Sequence, residues 1–182
     1  MAEVAGRQGA ARRWSMRIAF LGIGLGVILF NLLPLETTPR RWAGPDLLLT
    51  LACVWTLRRP DYAPALAVGT LVFLADLMFQ RPPGLMAALV VVGCEWLRAR
   101  ARTTREMNFL TEWAAAAAVM AGVLLGYRVA LAIFLTPQPP LVLNLMQLVV
   151  SVAVYPLAAV FFGTFMGVRR ISASHDELGR TA

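Results

Sequence analysis

Lysine is absent from this 182-residue chain, histidine occurs once, at His175, and cysteine twice, at Cys53 and Cys94. The scarcity of histidine and cysteine closes classes of function. A zinc site needs clustered ligands and a disulfide framework needs exposed, paired cysteines, whereas these two lie alone within apolar runs. Cys53 and Cys94 therefore read as small apolar-facing residues, and neither a metal nor a cofactor is expected. Acidic residues are few, ten against seventeen basic ones, all of them arginine, and the formal charge is +7. A basic excess can serve nucleic acid, but here the arginines fall in short groups between hydrophobic runs rather than on one amphipathic face. Ser15, Ser151, Ser172 and Ser174 have no histidine at a shared depth, because His175 stands in the tail beside Asp176 and Glu177. No carboxylates pair at one depth either, so a non-enzymatic role is expected.

What is abundant is apolar. Hydrophobic residues make up 59% of the chain and the mean hydropathy is +0.67, too high for a soluble domain that must cover its core with polar surface. Apolar stretches run from about Ile18 to Leu35, Leu47 to Leu57, Ala63 to Phe79, Gly84 to Leu97, Glu112 to Leu135 and Leu141 to Val168. They predict an all-α integral membrane protein, a six-helix transmembrane bundle occupying 18–168, with a basic segment 1–17 before it and a polar tail 169–182 after it. A bilayer core of about 30 Å takes about 20 helical residues. The first, fifth and sixth stretches meet that length. The second and fourth fall short, supplying about 16 Å and about 21 Å of helix. Two explanations suit them: half-spanning helices shielded by neighbours, or helices that reach the interface by snorkelling of Arg58, Arg59, Arg98 and Arg100, which is the preferred one.

Orientation follows from the arginines. In the six-segment topology Arg7, Arg12, Arg13, Arg17, Arg58, Arg59, Arg98, Arg100, Arg102, Arg105, Arg169, Arg170 and Arg180 share one side. Arg40, Arg41 and Arg81 hold the other, in loops rich in proline (Pro39, Pro82, Pro83, Pro137, Pro139, Pro140). The positive-inside bias places both termini in the cytoplasm. The basic start reads as the flank of an uncleaved first span, since the run after it is too long for a signal peptide and no small-residue cleavage site closes it; Met16 is an alternative start. The tail reads as disordered.

Glycines and buried charges supply the candidate sites. Gly22, Gly24 and Gly26 imitate a phosphate loop, but such a loop follows a strand and opens a helix, whereas these lie inside a span. Gly22 with Gly26, Gly122 with Gly126 and Gly163 with Gly167 have GxxxG spacing, which puts each pair on one helix face where backbones can approach closely. They are expected to pack helices within the chain first and to meet a partner helix second. The ionisable residues within the spans are Asp76, Glu95 and Arg128, and a charge at the bilayer centre must face the bundle, pair or reach an interface. Glu95 can pair with Arg98 three residues on, and Asp76 with Arg128, both near the outer ends of outward-running spans. Pro156 and Asn144 alone are too little for the interrupted helices of a transporter.

From Pro45 to Arg98 the chain resembles the MreD family of bacterial rod-shape-determining membrane proteins. Family members have a proline before the second span, a glycine and then an aspartate in the third, a glycine opening the fourth, and a basic loop after it. The matching positions are Pro45, Gly69, Asp76 and Gly84, with Arg98 to Arg105 as the loop. Val72 stands where a second small residue is usual, and Pro83 replaces the leucine before Gly84. The resemblance implies a scaffold subunit of the cell-elongation complex in the inner membrane, acting in cell shape and lateral peptidoglycan synthesis. Its implied partners are an MreC-like protein and, through the complex, the actin-like MreB filament, the RodA glycosyltransferase and a penicillin-binding transpeptidase. It also implies a fold similar to the substrate-binding S components of energy-coupling-factor transporters. The alternative function is such an S component, binding a vitamin-like substrate in an outward pocket near Asp76 and Arg128.

Overall fold

The computed structural model describes residues 2–33, 43–103, 108–135, 138 and 140–168. The tail 169–182 and Pro39, Arg40, Arg41, Pro137 and Pro139 lie outside the described residues. Among those described, six helices and no strand occur: α1 (Ala2–Leu32), α2 (Leu47–Arg58), α3 (Ala65–Met78), α4 (Leu85–Thr103), α5 (Phe109–Ile133) and α6 (Leu141–Phe165). Three stretches are long and apolar enough to cross a membrane: Ala10–Leu32 within α1, and the whole of α5 and α6. The basic residues before position 18 continue α1 without a break.

Helices α1, α3, α4, α5 and α6 touch in that order, forming an arc, and α2 stands inside it against α1, α4, α5 and α6. This placement accounts for the shortness of α2. A helix apolar on every side must be covered on every side, and ten consecutive residues of α2, Leu48 through Leu57, are buried. Shielding by neighbours, rather than snorkelling, is the solution adopted. Arg58 and Arg98, expected to reach out to the interface, turn inward instead: Arg58 donates to Glu112 and Arg98 to the Ala63 carbonyl. Arg59 lies over Tyr62 and Arg100 over Trp96. The fourth stretch is longer than its apolar part, since α4 continues through Arg102 to Thr103.

Trp55 of α2 is fully buried and centres the core near the arginine-rich end. Phe20 of α1, Tyr62 of the α2–α3 loop and Phe162 of α6 surround its ring at centroid separations of 5.4, 6.4 and 5.8 Å. Aromatic pairs at these separations add to the burial of their apolar area. The loop is tied to the same end by Arg17, whose Nε donates to the Asp61 carbonyl at 3.0 Å. On α6, Pro156 has no N–H for the carbonyl four residues earlier, and Trp113 of α5 fills the vacancy: its Nε1 donates to the Val152 oxygen at 2.8 Å. In an apolar surrounding an unmatched carbonyl is expensive, so the proline and the tryptophan act together.

The paired glycines divide. A Cβ on Gly126 would meet Leu89 at 3.0 Å, and one on Gly163 would meet the Arg58 guanidinium at 3.0 Å, so these two do pack helices within the chain. Gly22, Gly26 and Gly122 meet nothing within 4 Å among the described residues, and Gly167 lies past the end of α6 with φ +63°. The expectation of packing within the chain is therefore corrected for Gly22, Gly26 and Gly122, while the Cβ position of Gly167 lies 3.5 Å from the Arg12 guanidinium. The tightest approaches are elsewhere: a Cβ on Gly24 would lie 2.2 Å from Leu71, and one on Gly93 would lie 2.6 Å from Val119. Gly93→Leu should destabilise the detergent-solubilised protein by about 1–3 kcal/mol through overpacking. Gly122→Leu should stay within about 0.5 kcal/mol, and thermal unfolding of the two variants side by side checks the contrast.

Candidate functional site

Two polar sites lie at opposite ends of the bundle. At the arginine-rich end, the last residue of α2 meets the first turn of α5. Arg58 Nε donates to Glu112 Oε1 at 2.8 Å, and Arg58 Nη1 donates to the Ala159 carbonyl of α6 at 2.6 Å. Tyr155 of α6 donates its hydroxyl to the same Glu112 oxygen at 2.8 Å. The Glu112 side chain is 1% exposed and that of Arg58 13%. A buried acid and base with further hydrogen bonds on both is the arrangement that makes burial of charge tolerable. It joins α2, α5 and α6 at one point.

Sequence reading passed over this site. In the sequence Glu112 is the edge of an apolar stretch and Arg58 a snorkelling side chain. The available signal is that α2 ends and α5 begins at one end of the bundle, which sets opposite charges at one level. Of the two expected pairs, the one within α4 is formed: Arg98 is bonded to Glu95.

The opposite end is built around Asp76, near the end of α3. Its Oδ2 accepts hydrogen bonds from the backbone N–H groups of Gly84 and Ala87, each at 3.2 Å. The carboxylate thus caps the start of α4, where unpaired N–H groups and the helix dipole both favour an anion. Its backbone carbonyl accepts from the Arg81 N–H at 2.9 Å, while the Gln80 N–H reaches the Leu77 carbonyl at 3.4 Å. With Gln80 at φ +54°, these bonds form a Schellman cap that turns the chain out of α3. Gly84 stands at φ +82°, a conformation that a side chain would strain.

Two of the four motif positions, Asp76 and Gly84, are therefore bonded to each other. Gly69 belongs to the same hairpin, its Cβ position 3.3 Å from Val91 of α4. Pro45 immediately precedes Asp46, the cap of α2. Arg128 lies on α5, and its backbone carbonyl accepts from Gln138. Among the described residues, the carboxylate bonds of Asp76 go to Gly84 and Ala87 and none goes to Arg128.

No known protein family, curated protein or solved structure matches the chain.

Beside the Asp76 turn a cavity of about 360 Å³ opens among the starts of α2, α4 and α6, the last turns of α5 and the α3–α4 turn. Its polar lining comprises Asp46, Gln80, Arg81, Tyr127, Asn144, Gln147 and Ser151. Asp46 Oδ1 accepts from the Leu49 N–H at 3.0 Å, and the Asp46 N–H donates to Ser151 Oγ at 2.7 Å. Ser151 in turn donates to the Gln147 carbonyl at 2.6 Å. The cap of α2 is thereby tied to α6 at the cavity wall. Asp46, Arg81 and Asn144 do not stand out along the chain as site residues, because the lining comes from five separate segments.

Two outcomes separate the roles of these charges. Arg58→Ala strands a buried carboxylate and should lower stability by about 3–5 kcal/mol, whereas Arg58→Leu with Glu112→Leu should recover most of that loss; unfolding of the two variants in detergent measures it. Asp76→Ala should lose about 1–2 kcal/mol with the helix cap. Asp76→Asn, which keeps an acceptor oxygen, should lose less, and equal losses would mean that charge rather than capping matters there.

Proposed function

We propose that this chain is a non-enzymatic scaffold subunit of the bacterial cell-elongation complex, set in the inner membrane with both termini cytoplasmic. The observation that carries this reading is the bond between Asp76 and Gly84. Two residues that give the chain its likeness to the MreD family form one structural device, so their spacing serves a turn. Orientation draws support from the placement of charge. Arg17, Arg58 and Arg98 are engaged at one end of the bundle, the end that the positive-inside bias assigns to the cytoplasm.

On this reading the chain holds a single-pass, MreC-like partner by helix packing. Through it the chain meets MreB, RodA and a penicillin-binding transpeptidase. Gly22 and Gly26, open on the outer face of α1, suit the close approach of a partner helix. A second reading is favoured by the cavity: an S component of an energy-coupling-factor transporter, with a fold like that of such components. Recovery of an ATPase-bearing module with the purified protein would support it.

The first reading predicts that an MreC-like protein co-purifies with the chain and that depletion rounds rod-shaped cells. Gly22→Leu with Gly26→Leu should reduce the co-purified partner several-fold while leaving the unfolding temperature of the chain in place. Loss of the protein with no change of cell shape would overturn the reading.

A further inference from the structure

We infer that the cavity beside the Asp76 turn is a binding site for a small amphipathic anion, a carboxylate or phosphate ester with an apolar body, whose charged group is held by Arg81. Ligand pockets run from about 300 Å³ upward, and this one, at about 360 Å³, suits a small molecule. Its walls divide by chemistry. Met120, Val123, Leu124 and Leu131 of α5, with Met86 and Leu148, give an apolar side. Gln80, Arg81, Asn144 and Gln147 give a polar one. An occupant that satisfies both sides has an apolar part and a hydrogen-bonding end.

Arg81 decides the sign of that end. It lines not only this cavity but three neighbouring ones that open at the same end of the bundle. Its backbone is held by the Schellman cap of α3, through the bond to Asp76, and its guanidinium rests over the Phe79 ring at 5.2 Å. Among the described residues the guanidinium makes no hydrogen bond. A guanidinium carries five N–H donors in a fixed fork and binds a carboxylate or phosphate through two of them at once. Here that fork is positioned by backbone and ring among the residues that line the cavity. Asp46, in the same lining, already accepts the Leu49 N–H with one oxygen, and its charge disfavours a second anionic group on the occupant.

This inference takes up the cavity of the second reading and names its ligand class; the scaffold reading does not depend on it. Two sources supply the chemistry, a water-soluble organic acid and the headgroup of an anionic lipid. The test uses the full chain in nonionic detergent, titrated with 3-phenylpropionate as the soluble anion, 3-phenylpropionamide as its neutral counterpart, and dihexanoyl-phosphatidylglycerol as the lipid. Thermal unfolding is the readout. One of the two anions should raise the unfolding temperature saturably while the amide does not, and which anion acts identifies the source.

Arg81→Gln keeps the backbone cap and should raise the half-saturating concentration about tenfold or more, as expected for loss of a charge-assisted pair. Arg100→Gln, which removes a cation at the other end of the bundle, should leave it unchanged. The inference is overturned if neither anion shifts the wild-type chain, if the amide acts as well as the acid, or if the shift survives Arg81→Gln. Recovery of an ATPase-bearing module bears on transport alone, so the ligand site and the transporter reading can fail separately.

Discussion

A short helix inside a membrane bundle raises the difficulty of its own ends, and the architecture of this protein is organised around α2. Ten consecutive buried residues leave α2 without contact with lipid headgroups or water along its length. Its termini must therefore find polar partners within the protein, because unpaired groups in an apolar medium cost several kcal/mol each. At one end Asp46 folds back on the Leu49 N–H and its own N–H meets Ser151 of α6. At the other, Arg58 reaches Glu112 of α5 and the Ala159 carbonyl of α6. Both ends of α2 are thus tied to α6, and one of them also to α5. The two long hydrophobic helices are held in register by the shortest element of the fold.

The two ends of the bundle differ in how they are closed. Near the arginine-rich end, Trp55 is enclosed by Phe20, Tyr62 and Phe162, and Arg17, Arg58 and Arg98 each donate across to another segment. Helices are drawn together there by aromatic packing and charge. At the opposite end the first N–H groups of the helices are capped by nearby carboxylates, Asp46 for α2 and Asp76 for α4, with one bond across, from the Asp46 N–H to Ser151. Local capping leaves space between helices, and the cavity occupies it.

Much of the fold is legible along the chain. The six apolar stretches coincide with the six helices to within a few residues, apart from the helical extension before position 18 and the polar turns that lengthen α4. Apolar runs, prolines between them and arginine clusters at their flanks are properties of contiguous residues, so hydropathy and charge record them directly. The pairing of Glu95 with Arg98 was legible for the same reason, since three residues along one helix fix their proximity.

What only the tertiary structure decided is which segments stand inside and which groups meet across them. Nothing in the apolar pattern of α2 distinguishes a central helix from a lipid-facing one, because both are apolar all round and the difference lies in the neighbours. Asp76 was singled out from sequence as an intramembrane charge, yet its partners are N–H groups eight and eleven residues later across a turn. Glu112 and Arg58 lie 54 residues apart, and Arg81, a loop charge in the sequence, is brought by the turn into the lining of a cavity built from five segments. Hydropathy is written residue by residue. A pairing exists only between segments, and it is settled when the whole bundle finds the packing that leaves the fewest polar groups unmet.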